Sequence, residues 1–335
     1  MYLAHPAAQA AAVALPPSRA AEPTYVRASF PPAAFAFGVF ATALLCCLAA
    51  VEGFTATPRA VALGMAPNTL MAALFFFYRD YRNEQTVAWI FGALGVLFWV
   101  SYVNAWLAIV GLTTSFPLQD ARLMAWSEAV GVDYRAILGW IAEQPKLGAM
   151  LNAAYRLSVP MILVTPVVLA VTGQFQRLRT FVSLYSILLT VSVVISMAAP
   201  AKGFAVYAPL PAELSHRLPA GASVFYAGTM DAYRSGTLRV IDPSHLEGVV
   251  IFPSFHTAMA LLTIYAFWRT RFVWAIGLAV NGVILLSIIP IGGHYVWDMI
   301  GAAVLFVAGE PFARRWAIAP VAGIRESDAT PARPA

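Results

Sequence analysis

Long apolar stretches, broken by short polar or arginine-bearing segments, dominate the chain. Eight of them run near residues 33–54, 60–78, 87–111, 157–173, 180–199, 254–269, 272–290 and 296–312. A helix needs about 20 residues to cross the roughly 30 Å of bilayer hydrocarbon. The pattern therefore predicts an all-α, polytopic membrane helix bundle with about eight transmembrane helices. The second stretch is the weakest, because Pro67 and Asn68 interrupt it. The sixth and eighth are short and open on polar residues. Polar groups inside a membrane segment are costly, so those residues are functional candidates by default. Residues 119–144 mix apolar and charged positions at roughly helical spacing, with Leu123, Trp126 and Val130, then Ile137, Trp140 and Ile141, forming apolar faces. This predicts one or two amphipathic helices lying on the outer leaflet, or a packed cap over the bundle. Residues 1–30 and 313–335 are rich in Ala and Pro and read as flexible tails. A cleaved signal peptide fits poorly, since the first apolar stretch begins only near Ala33 and is too long for an h-region. Between the tails, residues 31–112 read as N-terminal transmembrane helices and 113–312 as the membrane domain that carries the chemistry.

Composition narrows the class. Of 335 residues, 60% are hydrophobic and 11% charged, against about 25% charged in an ordinary soluble domain. That excludes a disordered chain and disfavours a soluble enzyme. The net charge of +5 reads as arginines at helix ends and not as a nucleic-acid surface. Arg79 and Arg82, Arg177 and Arg179, Arg269 and Arg271, and Arg314 and Arg315 all fall on one side if eight helices cross. By the positive-inside rule that side is the cytoplasm of a cell inner membrane, with both termini there. Residues 113–156, 200–253 and 291–295 then face the extracytoplasmic side. If the second stretch is only interfacial, the N-terminus moves outside and the later half is unaffected. Cys46 and Cys47 are adjacent, and can neither bridge a loop nor form a recognisable metal site.

Two short segments stand out from this background. Phe252-Pro253-Ser254-Phe255-His256-Thr257 lies at the outer end of the sixth stretch, and Gly292-Gly293-His294-Tyr295-Val296-Trp297-Asp298 at the outer end of the eighth. His294 and Asp298 are spaced i,i+4, which on a helix puts both on one face. A carboxylate beside an imidazole fixes its tautomer and frees the other ring nitrogen to attack. Gly292 and Gly293 would let backbone N–H groups approach an anion. Pro253 suits a helix start, Ser254 can cap that helix and donate to a phosphate oxygen, and the helix N-terminus favours an anion. His256 could then donate a proton to a leaving oxygen. A metal site built from His256, His294 and Asp298 is the competing chemistry, but a third imidazole and a nearby Cys are lacking. A transporter using intramembrane His and Asp for protons is a further alternative; such relays tend to lie at mid-membrane, whereas these residues sit at span ends. A catalytically silent lipid-binding relative is a third.

Pro253-Ser254-x-His256-Thr257 and Gly293-His294-Tyr295-x-x-Asp298-x-x-Gly301 resemble the second and third signature motifs of the type 2 phosphatidic acid phosphatase superfamily. The closer resemblance is to its inositol-phosphorylceramide-synthase and sphingomyelin-synthase-like branch, where His-Tyr-x-x-Asp is usual. The stretch from Met230 to Arg239 is similar to one upstream of the second motif in bacterial members, and the 119–156 region, with Asp120 and Tyr155, matches loosely. The resemblance covers roughly residues 115–312. It implies metal-free and cofactor-free phosphotransfer through a phosphohistidine, with His294 as nucleophile, Asp298 as its orienting partner, His256 as acid for the leaving group and Ser254 at the phosphate.

The chain departs from the phosphatase pattern. The usual Lys-x6-Arg-Pro motif is absent, and Ser287-Ile288 stands where Ser-Arg is common. A transferring phosphoryl group needs positive charge or oriented dipoles around its oxygens. Arg234 and Arg239 are the first expectation for that charge, alongside Gly293, with Lys202 and Arg156 in reserve. The expected partners are a membrane lipid substrate, an acceptor that is a hydroxyl or water, and the bilayer itself.

Overall fold

The computed structural model describes residues 27–317 except Glu247 and Arg269. The expectations about residues 1–26 and 318–335, and the charge of Arg269, lie outside the described residues. The elements in chain order are α1 (Pro32–Val51), β1 (Thr55–Ala56), α2 (Pro58–Phe76), α3 (Gln85–Gly111), α4 (Asp120–Ala129), α5 (Tyr134–Ala142), α6 (Pro145–Val171), α7 (Phe175–Ala198), α8 (Phe204–Tyr207), α9 (Ala212–Ser215), α10 (Ala227–Arg234), β2 (Val240–Ile241), α11 (Phe255–Phe267), α12 (Arg271–Gly292) and α13 (Val296–Ala317). The architecture is an all-α polytopic membrane bundle. Among the described residues, seven helices are long and apolar enough to cross a membrane.

The helices depart from the sequence expectation at identifiable places. The second stretch is a continuous segment from Pro58 to Tyr81 despite Pro67. The Asn68 amide folds back onto the Gly64 carbonyl at 2.6 Å, which satisfies its donor within the apolar helix. The fourth span begins at Pro145, twelve residues before the expected 157, so Tyr155 belongs to the spanning helix and not to the amphipathic region. The last helix continues to Ala317, into what reads as tail in the sequence. Residues 27–30 are not loose either: Ala28 is buried, its N–H donates to the Gln85 side chain at 2.9 Å, and the Phe30 ring lies 4.4 Å from Phe75.

The buried axis is formed by α3 and α7. Trp106, Leu107 and Ile109 on the first, and Phe181, Leu184 and Leu188 on the second, are fully buried. Small residues on α7, among them Ser183, Ser186 and Ser192, let α1, α3, α11 and α13 pack closely around it. Beside that axis, α1 and α2 rest on α3 through two glycines. A Cβ at Gly38 would sit 2.6 Å from the Trp99 ring, and one at Gly64 2.5 Å from Tyr102.

Thirteen residues make α11 the short member of the bundle. It rises about 20 Å, well under the roughly 30 Å of hydrocarbon. The chain before it is non-helical yet buried, with Val249, Ile251 and Ser254 at 2% exposure or less. Non-helical backbone is tolerated in such surroundings only where protein groups satisfy it. Here Ser254 N–H donates to the Asp298 carbonyl at 3.0 Å and the Ile251 carbonyl accepts from His294. The opposite end of α11 is tied to the start of α7, where Arg177 donates to the carbonyls of Ala266 and Trp268.

The amphipathic region forms α4 and α5. Leu123 and Ile141 are buried as the pattern expects, whereas Trp126 and Trp140 are exposed. Helices α8 to α10 lie in the long connection before α11. That connection pairs with the α1–α2 turn through β1 and β2, which run parallel with Thr55 opposite Val240.

Candidate active site

Ser254 is the N-cap of α11. Its Oγ accepts from Thr257 N–H at 3.3 Å, in a fully buried position. The cap fixes the first turn, and with it the second helical residue, His256. The His256 ring stacks on Tyr155 of α6, with centroids 4.3 Å apart, and its Nδ1 lies 3.2 Å from the Tyr155 hydroxyl.

The second half of the site forms where α12 turns into α13. Gly293 ends α12 with φ of +74°, a left-handed conformation suited to glycine. A Cβ there would also meet the Ser223 carbonyl at 2.7 Å. The turn delivers His294, which is 2% exposed. Its Nδ1 faces two acceptors, the Ile251 carbonyl at 3.0 Å and Asp298 Oδ2 at 3.3 Å. The hydrogen therefore sits on Nδ1, and Nε2 carries the lone pair. Burial pushes the His294 imidazole down to about 4, against the raising effect of the Ile251 carbonyl, which keeps it neutral and nucleophilic near pH 7.

The i,i+4 spacing works differently from a simple helical face. His294 precedes α13, and Tyr295 N–H donates to Asp298 Oδ2 at 2.7 Å. Asp298 thus reaches back as an acidic residue in the first turn, closing the N-terminus in the manner of a capping box. The same carboxylate oxygen is thereby aimed at His294.

The rings of His256 and His294 lie with centroids 6.2 Å apart. A nucleophile needs about 3 Å to phosphorus, and a general acid about 3 Å to the leaving oxygen. One phosphoryl group fits between the two rings on that scale. A cavity of about 350 Å³ reaches both histidines and runs between α3, α6, α7 and α11 along largely apolar walls. A second, of about 340 Å³, contains His256, Tyr155 and Arg156. Among the described residues no group of three or more His, Cys, Asp or Glu side chains is gathered to hold a metal ion.

The surface helices brace this turn. Asp120 at the start of α4 is fully buried and accepts from the N–H groups of Lys202 and Gly203 and from the Tyr295 hydroxyl, at 2.9–3.0 Å. Burial raises its carboxyl, and these three donors oppose the rise. Tyr134 of α5 accepts from Val296 N–H at 2.9 Å. The two residues that follow His294 are therefore held through aromatic hydroxyls. In the sequence Asp120 and Tyr155 surface only through the family resemblance, and Tyr134 and Tyr295 carry no role there. The one sequence signal for Asp120 is a lone acid opening an amphipathic helix.

The expected phosphate-binding groups fare unequally. Arg234 is committed to the Phe116 carbonyl at 2.6 Å, and Arg239 to Glu52, whose carboxyl it holds below the usual range. Neither guanidinium is delivered to the histidines, because each finds a partner where its own loop docks. Gly293 N–H is likewise spent, donating to Ile289 at 3.1 Å, so this glycine serves the turn and not an anion. Lys202 pairs with Asp231. Arg156 is the expected cation that lines a cavity together with His256, and it makes no ion pair among the described residues.

A family model described as the PAP2 superfamily matches residues 121–310. No curated protein and no solved structure matches the chain. The matched region is more than half of the sequence and contains Tyr155, His256, His294 and Asp298 together with the helices that position them, so the chain belongs to the PAP2 superfamily, a group of lipid-type phosphatases and phosphotransferases.

Proposed function

We propose that this protein is a metal-independent lipid phosphotransferase that works through a phosphohistidine on the head groups of phospholipids or sphingolipids. The carrying observation is the pair of imidazoles 6.2 Å apart, one of them with its Nδ1 held by a carboxylate. His294 Nε2 attacks phosphorus as the bond to the leaving oxygen breaks, and His256 delivers a proton to that oxygen. The positive charge that develops on the His294 ring is balanced by Asp298. An acceptor hydroxyl then gives its proton to His256 and attacks phosphorus, and the P–N bond breaks to restore His294. Tyr155 positions His256 throughout.

The electrostatics favour a phosphodiester donor over a monoester. Arg156 is the cation that shares a cavity with His256, and Arg234 and Arg239 are occupied elsewhere. A diester carries less negative charge and needs fewer cations. The sphingolipid-synthase-like branch is the placement that His294-Tyr295-x-x-Asp298 supports. With water as acceptor, the same steps make a lipid phosphate phosphatase. We place the site on the extracytoplasmic side with both termini cytoplasmic. The link between Arg177 and the far end of α11 supports this, since it puts an arginine cluster opposite His256.

The test is an assay of the wild type and His294→Ala against labelled phospholipids and sphingolipids in EDTA. Activity undiminished by EDTA, head-group transfer to a lipid or polyol hydroxyl, and complete loss in the variant are expected. His256→Ala should hurt least for substrates with good leaving groups. Rapid release of inorganic phosphate from phosphatidate with no head-group transfer would replace the transferase by the phosphatase.

A further inference from the structure

The stretch from Met230 to Arg239 sends neither arginine to the histidines, and its end is tied to the turn between α1 and α2. There β2 pairs with β1: Thr55 N–H donates to the Arg239 carbonyl at 3.1 Å and Thr57 N–H to the Ile241 carbonyl at 3.0 Å. Arg239 Nη1 donates to the Glu52 carboxylate at 2.5 Å and to the Glu52 carbonyl at 3.0 Å. Its guanidinium lies 5.7 Å from the Phe54 ring, which stacks on the fully buried Tyr233. Beyond β2, Asp242 accepts from Ser244 N–H at 2.9 Å and opens a single tight turn, Pro243–His245. The chain then runs without helix through Leu246, Gly248, Val249, Val250 and Ile251, which form one wall of the larger cavity. Gly248, Val249 and Val250 make no hydrogen bond among the described residues. This wall is therefore fixed from its two ends. One end is held where the Ile251 carbonyl meets His294 and Ser254 N–H meets the Asp298 carbonyl; the other is held by the pairing with β1.

We infer that Glu52 and Arg239, with the β1–β2 pair, are positioning residues that hold the 246–251 wall against a lipid chain in the larger cavity. A segment without hydrogen bonds of its own takes many conformations unless its ends are fixed. Only the conformations that complete the chamber bind well. Releasing one end therefore weakens the apparent affinity in proportion to the competent fraction lost. Glu52 and Arg239 line neither of the two cavities that reach His256, so they act through the wall and not by touching the lipid. The strap comes from α1, α2 and their turn, which lie outside the matched residues 121–310. This part of the chain thus completes a chamber whose catalytic groups all lie within the match. That the chamber seats a lipid chain rests on the phosphotransfer reading; the hold of the strap on the wall does not.

The test uses the full chain in nanodiscs, carrying His294→Ala so that no turnover is expected. Displacement of a fluorescent alkyl phosphate by hexadecyl phosphate gives both Kd and the number of sites. Glu52→Gln and Arg239→Gln should each raise Kd about fivefold, as expected for a half-exposed ion pair, with the number of sites unchanged. A mere folding defect would do the reverse, removing sites and leaving Kd alone. Thr55 and Val240 are in-register partners, and neighbouring strands lie about 4.8 Å apart, which a disulfide can span. Thr55→Cys/Val240→Cys, made in a chain with Cys46→Ser and Cys47→Ser, should therefore lock the strap when oxidised. The lock should restore near wild-type Kd to Glu52→Gln, and a reductant should undo the rescue. An unchanged Kd in both single variants, or no rescue by the lock, overturns the inference. So does weaker binding by the locked chain with Glu52 and Arg239 intact, since the wall would then have to open; this arm holds whether or not the single variants fold. The expected binding pattern with no turnover of any lipid by the His294-containing protein would instead sink the phosphotransfer reading and leave this one standing.

Discussion

Asp298→Asn isolates the charge that the site places beside His294, the proposed nucleophile. The replacement keeps the shape and one acceptor, and removes the negative charge 3.3 Å from His294 Nδ1. A wrong tautomer is not the expected failure, because the Ile251 carbonyl, at 3.0 Å, still accepts from Nδ1. What is lost is the charge-assisted part of one hydrogen bond, needed most when the ring becomes positive on phosphorylation. Hydrogen bonds to charged groups contribute about 1.5–3 kcal/mol. Taking the upper half of that range for a pair this buried, kcat should fall roughly 45- to 160-fold. KM should move little, since Asp298 holds the ring and not the lipid. The assay is single-turnover transfer from a labelled donor lipid, with phosphoenzyme trapped by rapid quench and the melting temperature recorded in parallel. A variant within threefold of wild type would show that the carboxylate does not stabilise the phosphorylated ring. Loss of activity with accumulated phosphoenzyme would equally refute the reasoning, because the first step is the one that should slow.

Arg156→Gln should raise KM for anionic lipids roughly tenfold, the loss of one charge-assisted phosphate contact, with a smaller change in kcat; steady-state kinetics at fixed surface concentration check this, and an unchanged KM removes Arg156 from the phosphate. Asp120→Asn leaves one or more of the three donors around it unpaired in a buried position, which should cost about 2–3 kcal/mol and lower both the melting temperature and the rate through Tyr295. Scanning unfolding of the purified variant decides this; a wild-type melting temperature counts against the brace. Burial lowers the His294 imidazole from 6.5 to about 4 in the folded protein. Its contribution to stability is therefore complete above about pH 6.5 and lost as pH falls toward 4. Denaturation midpoints measured across that window should decline with acid, and less so in His294→Gln.

The bundle was readable because a bilayer leaves so few choices. Runs near 20 apolar residues can only be helices, so the long spans fall where hydropathy puts them. Polarity along the chain does not fix position in the bundle. Lys146, Asn152 and Arg156 make the first turns of α6 look like surface, yet the helix carries them in order to bring Tyr155 against His256. Arg234 and Arg239 lie just before the Ser254 motif in sequence, and adjacency suggested phosphate. In the folded chain Arg239 meets Glu52, 187 positions away, because β2 docks on β1. Tyr134 and Tyr295 look like ordinary aromatics until their hydroxyls are seen to hold the two residues that follow His294.

Local chemistry was settled by the sequence itself: which segments must be helical, that Ser254 can cap one of them, and that His294 and Asp298 are close enough along the chain to meet. Those properties follow from short-range geometry and from the cost of unpaired backbone in lipid. Only the tertiary structure decided which cation lines a cavity together with His256 and what holds Nδ1 besides Asp298. Each of these joins groups that are dozens to hundreds of positions apart. No periodicity encodes such meetings; they depend on how the helices pack and on which competing partner each charge reaches first.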